Sequence, residues 1–115
     1  MKVIIAGSRY FADSKLMALG MEASGFDVTE VVSGGADGAD LLGERWVWQR
    51  RIPVRSFPAY WARHGKAAGP IRNGQMVEYA DALVAFPRAD SKGTADMIRQ
   101  AWKAGLRVHV MEEVP

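Results

Sequence analysis

Two runs in this chain, residues 3–6 and 82–86, contain no polar side chain at all. A strand with one face in water alternates apolar and polar residues, so runs this continuous belong to strands covered on both faces, as in a parallel sheet. The segments around them change period repeatedly. Asp13 can cap a helix over 13–24, with Leu16, Leu19 and Ala23 on one stripe and Gly25 at its stop. The β-branched Thr29, Val31 and Val32 predict a strand over 29–33. A helix over about 36–50 follows, with Ala39, Leu42 and Trp46 sharing a stripe, and Pro53 closes it before a strand at 54–57. Residues 58–69 show no period and read as a long loop, after which Pro70 suits the first turn of a helix reaching Tyr79. Thr94 opens the last helix, whose Ile98, Ala101 and Trp102 are expected toward the core, and 108–111 make the last strand.

Strands alternating with helices predict an α/β protein. With right-handed crossovers the result is a three-layer Rossmann-like sandwich of about five mostly parallel strands, helices on both faces, with residues 1–115 as a single domain. Cysteine is absent, which excludes disulfides, thiol catalysis and thiolate metal sites. His64 and His109 lack spaced partners, so no metal ligation by side chains is expected. The opening run MKVIIAG is too short for a signal peptide or a membrane span, so a cytoplasmic protein without membrane contact is expected. The formal charge of +2 is small and acids and bases read as interspersed, which argues against nucleic acid as a partner.

The unusual turns all fall at the carboxyl ends of strands, where open α/β sheets bind ligands. TEVVSGGADGAD, residues 29–40, is a strand, a glycine turn and a helix start. Gly34 and Gly35 permit positive φ and close approach, Ser33, Gly34, Gly35 and Ala36 can offer backbone N–H groups, and Gly38 leaves room for a phosphate or ribose. Asp37 reads as a helix cap, while Asp40 fits either a dipole or a ribose-hydroxyl role. After the first strand, Gly7 allows a close turn, Ser8 offers a hydroxyl, and Arg9 is either a phosphate fork or a surface ion pair.

GSR after the first strand, SGGADGAD after the second, GKAAGPIRN before the third long helix and KGTADMI after the fourth strand together resemble the SLOG superfamily, and most closely its small YspA- and YpsA-related bacterial and phage members. More distantly, SGGADGAD and PIRN resemble the glycine and RN motifs of the DNA-processing protein DprA. KGTAD resembles a degraded PGGxGT motif of the LOG phosphoribohydrolases. The resemblance implies a Rossmann-like domain for nucleotides or nucleotide derivatives such as an ADP-ribose or NAD derivative, with no further cofactor.

On that footing Arg72 adds charge at a helix start, and Asn73 either touches ligand or ties turns together. Lys66 is either a phosphate contact or a solvated lysine. Gly93 and Thr94 form either a second phosphate cradle or a plain helix start with Thr94 as cap. Tyr60 and Trp61 can stack on a base or pack a loop. The LOG enzymes hydrolyse an N-glycosidic bond with an arginine and a glutamate, but Met97 stands where that glutamate would. Asp96 is one position off, about 100° around the helix. Glu44 and Glu78 are the other carboxylate candidates for a hydrolase. Binding of a nucleotide or nucleotide-sugar is the first expectation, hydrolysis the alternative, and DprA-like single-strand binding the third. Trp46, Trp48 and Trp102 on helices exceed what so small a core can take, which predicts a homodimer.

Overall fold

The structure, a computed structural model, describes residues 1–8, 11–35, 39–88 and 91–111, and for 39–41 the backbone alone. Five strands, β1 (Lys2–Gly7), β2 (Glu30–Ser33), β3 (Val54–Ser56), β4 (Ala82–Phe86) and β5 (Arg107–Val110), form one sheet in the order β3-β2-β1-β4-β5. Each of its pairings is parallel. The apolar runs therefore occupy its middle: β1 lies between β2 and β4, with Ile4 in register with Val32 and Leu83.

The alternation of β1 decides the two cores. Val3 and Ile5 point to one face with Val31, Val84 and Phe86, where α1 (Ser14–Ser24) and α2 (Ala39–Gln49) pack. Ile4 and Ala6 point to the other with Leu83 and Ala85, under α4 (Ala68–Tyr79) and α5 (Lys92–Lys103). Each fully buried Val, Ile, Leu or Phe contributes about 1.5–3 kcal/mol, so the two central strands carry much of the stability.

Asp13 caps α1, its carboxylate accepting from the Leu16 N–H at 3.0 Å, and Gly25 ends it at φ 70°. The inward stripe of α1 differs from the expected one. Met17, Gly20 and Met21 are buried, whereas Leu19 is 57 % exposed and Ala23 faces solvent. Gly20 is the reason: a Cβ there would lie 2.7 Å from the Phe86 ring, so only this glycine lets the helix settle so closely. Trp102 of α5 is likewise 64 % exposed while Met97 and Ala101 turn inward.

Two helix starts also differ. Residues 58–69 hold α3 (Trp61–His64) and a 3-10 turn (Gly65–Ala67), and α4 begins at Ala68, before Pro70. Pro70 still falls in the first turn, where its missing N–H costs no helical bond. α3 is a single turn held by the Arg63 and His64 N–H groups donating to the Tyr60 carbonyl, too short to leave a period in the sequence. The last helix starts at Lys92 with Ser91 at its N-cap position, so Thr94 is not the cap but a buried member of the first turn, its hydroxyl 2.5 Å from that of Ser91. Among the described residues no helix is long and apolar enough to cross a membrane.

Candidate functional site

The chain reverses direction across the sheet between β1 and β4, the position at which open α/β sheets bind ligands. The two strands are joined at their carboxyl ends by the Ser8 N–H, which donates to the Phe86 carbonyl at 3.4 Å. Beyond them opens a cavity of about 610 Å³. Gly7 and Ser8 form its floor; Trp61, Lys66, Gly69, Arg72 and Asn73 line one side, and Lys92, Gly93, Thr94, Asp96 and Arg99 the other.

The wall is braced from inside. Asn73 is 4 % exposed, and its amide joins α4 to α5: Nδ2 donates to the Gly93 carbonyl at 3.3 Å and to Asp96 Oδ2 at 3.0 Å, while Oδ1 accepts from Arg72 Nε at 3.1 Å. Arg72 Nη1 goes on to donate to the Gly34 carbonyl at 3.0 Å. The Arg72–Asn73 pair thus ties the turn after β2 to the start of α5. Asp96 accepts from Gln100 Nε2 at 2.8 Å as well, and from the exposed Arg99 at 3.1 Å. Its carboxylate holds the wall together. The tie leaves the fork of Arg72 only part of its five donors for a ligand.

The glycine turn is ordered by a second relay. Ser33 Oγ donates to Glu44 Oε2 at 2.9 Å and accepts from the Gly35 N–H at 3.1 Å. Of Gly34 and Gly35, only Gly35 takes positive φ, at 73°, and its N–H is engaged with Ser33. Ser33, Gly34 and Gly35 meet the cavity through Arg72, whereas Arg9, Ala36, Asp37 and Gly38, with the side chain of Asp40, lie outside the described residues. Of the three carboxylates singled out from sequence, Asp96 lines the cavity, Glu44 sits behind Ser33, and Glu78 lies elsewhere.

Tyr60 and Trp61, adjacent in sequence, part company. Trp61 lines the main cavity, 59 % exposed, its ring over Gly69 such that a Cβ there would lie 3.5 Å from Cη2. Tyr60, 58 % exposed, lines a second and more open hollow between the β3 edge and α4, with Arg55, Phe57, Gln75, Glu78 and Tyr79. There the guanidinium of Arg55 lies 5.6 Å from the centre of the Phe57 ring and 5.5 Å from that of Tyr79. The rings themselves are 5.6 Å apart. Sequence reading passed over this hollow, although it carried a signal. Between Glu44 and Glu78 the chain has no acidic residue but seven basic ones, Arg45, Arg50, Arg51, Arg55, Arg63, Lys66 and Arg72. The charges are segregated rather than interspersed, and the small total conceals it.

Tyr79 donates its hydroxyl to the Glu30 carboxylate. That bond, partial burial and the negative charge of Glu30 push the phenol above its ordinary value near 10, against the pull of Arg55. A group that binds its proton more tightly when folded adds stability below its unfolded pKa and loses it as pH rises through the folded value. The loss therefore falls above about pH 10. Ultraviolet titration should show one tyrosine ionising late, and Tyr79→Phe should remove that phase; an unchanged titration would mean the bond to Glu30 does not persist in solution.

A parallel five-stranded sheet with a cation-rimmed crevice at its strand-order reversal defines a Rossmann-like protein. The model of the YspA, cpYpsA-related SLOG family matches residues 1–64. Gene 61 protein of Mycobacterium phage D29 is 38 % identical over 117 residues, spanning 93 % of both chains. The chain belongs to the YspA, cpYpsA-related SLOG family, and membership points to a nucleotide-related role. In three dimensions it is similar to DNA processing protein A (DprA) from Streptococcus pneumoniae, with a TM-score of 0.79 and 16 % identity over 98 % of this chain. It spans half of that longer chain, and the likeness is one of fold.

Proposed function

We propose that this protein binds a nucleotide or nucleotide-sugar in the cavity beyond β1 and β4, acting as a sensor, carrier or store for that ligand without a further cofactor. One observation carries the reading: a cavity of about 610 Å³ that brings four cationic side chains, Lys66, Arg72, Lys92 and Arg99, around an exposed indole face, Trp61. Such a volume is within the usual range for small-molecule sites, cations favour phosphate, and an aromatic face accepts any base. Among the described residues the one carboxylate in that wall, Asp96, already accepts from Asn73, Gln100 and Arg99, so its charge is largely countered.

Calorimetry with adenosine, AMP, ADP and ADP-ribose tests this. The phosphorylated ligands should bind and adenosine should bind far more weakly, with Trp61→Ala weakening them about 5-fold or more through lost stacking. Absence of binding by all four would overturn the reading. Hydrolysis of an N-glycosidic bond is the second reading, favoured by the place of Asp96 in the cavity wall. Release of free base on prolonged incubation, lost in Asp96→Asn, would support it. A homodimer through an exposed helix face is proposed on Trp48, 82 % exposed, and Trp102. Light scattering that found only monomer at high concentration would remove it.

A further inference from the structure

We infer that the hollow between the β3 edge and α4 is a second nucleoside subsite, so that the full ligand carries two bases joined through phosphate. The inference rests on the nucleotide reading of the main cavity and extends it across the Tyr60–Trp61 step. Consecutive residues here supply one exposed aromatic ring to each hollow. Neighbouring Cα atoms are about 3.8 Å apart, so the two hollows meet at this one step of the chain, and a ligand with two bases joined through phosphate is of the kind that would occupy both. Nothing in one mononucleotide would use both.

The second hollow has the chemistry such a half-ligand needs. Tyr60 offers a stacking face. Arg55, held over Phe57 and Tyr79, offers a guanidinium beside it that can meet a linking phosphate or stack on a base. Gln75 and the exposed Glu78 can take the hydrogen-bonding edges of ribose or base, as acidic groups do for ribose hydroxyls in dinucleotide folds. Basic side chains of the acid-free stretch from Arg45 to Arg72 stand at both hollows, Arg55 at the second and Lys66 and Arg72 at the first. A linking phosphate between them meets favourable charge from either side. A free dinucleotide and the end of a nucleic-acid strand share this chemistry.

Binding is measured on the whole chain with three probes: AMP, a free dinucleotide joined by pyrophosphate (NAD), and the 3′–5′-linked dinucleotide ApA with a longer oligoadenylate. A two-base probe should bind about 10-fold or more tightly than AMP, since a stacked base is worth a factor of that order. Tyr60→Ala and Arg55→Gln should bring that probe back to the affinity of AMP while leaving AMP itself unchanged. Both side chains are exposed, so folding should be retained, and the unchanged AMP affinity reports it. Preference for NAD identifies a free dinucleotide as the source; preference for ApA, rising with length, identifies a strand. Equal affinity for AMP and both two-base probes, or a two-base advantage that survives Tyr60→Ala, overturns the second subsite while leaving the main cavity intact. Failure of AMP and of every two-base probe to bind removes both readings together.

Discussion

Asn73→Ala is expected to destabilise the protein by about 2–4 kcal/mol, because it strands several polar partners at once. The buried amide serves the Arg72 Nε, the Gly93 carbonyl and Asp96 Oδ2, and alanine returns none of these bonds. Each buried group left unsatisfied costs about 1–3 kcal/mol, and more when charged, though water entering the open cavity recovers part of it. The charge substitution is sharper still. Asn73→Asp keeps the shape and keeps an acceptor for Arg72, but turns the donor facing Asp96 and the Gly93 carbonyl into a carboxylate. It should therefore be at least as destabilising as alanine near neutral pH, and should recover as pH is lowered through the carboxylate range. Urea unfolding of the three proteins at two pH values decides this. An aspartate variant as stable as the parent would mean that Asn73 does not bridge α4 and α5. Nucleotide affinity should fall in Asn73→Ala, because Arg72 there loses one of the two bonds that hold its fork.

Gly43→Val should cost about 2–4 kcal/mol. A Cβ at this buried position of α2 would lie 2.8 Å from Ile5 Cγ2 and 2.9 Å from Cδ1. Ile5 is β-branched, 1 % exposed and fixed in the central strand, so it has no rotamer into which to retreat. Two effects compete in the smaller substitution. Gly→Ala in a helix normally gains up to about 1 kcal/mol in propensity, while overpacking costs about 1–3 kcal/mol. Gly43→Ala should thus be mildly destabilising and the valine clearly so. Gly93 supplies the control: it is the second residue of α5, and a Cβ there meets nothing within 4 Å. Gly93→Ala should be neutral or slightly stabilising. Thermal unfolding of the set tests the ranking, and a Gly43→Val protein that melts with the parent would show that α2 does not press on β1.

Both effects arise from features that sequence alone shows only in part. Gly43 looks like a weak point in a helix until its distance to Ile5 is known, and Asn73 offers two equal roles until its partners are known. Legible beforehand were the periods and stops. The runs at β1 and β4 are apolar throughout, and such a run has few homes other than the middle of a parallel sheet. Asp13 and Gly25 bracket α1 because capping is a local matter, settled within a turn of the chain. The motifs were legible too, since glycines and polar residues at strand ends need no distant partner to be recognised, and the family they resembled is the family to which the chain belongs.

What the chain order left open depends on residues far apart meeting. Leu19 and Trp102 fit an apolar stripe, yet face outward, because the helices rotate to seat Gly20 on Phe86 and Met97 and Ala101 on the opposite core. α3 is one turn long, too short for any period to announce it. Tyr60 and Trp61 are neighbours in sequence, but the turn of the chain at that step sends them to different hollows. Arg72 reaches the Gly34 carbonyl across 38 positions. Local sequence determines periods, caps and turns because their energies are set by neighbours along the chain. Which side chain completes which partner is decided only when packing fixes the rotation of each helix against the sheet.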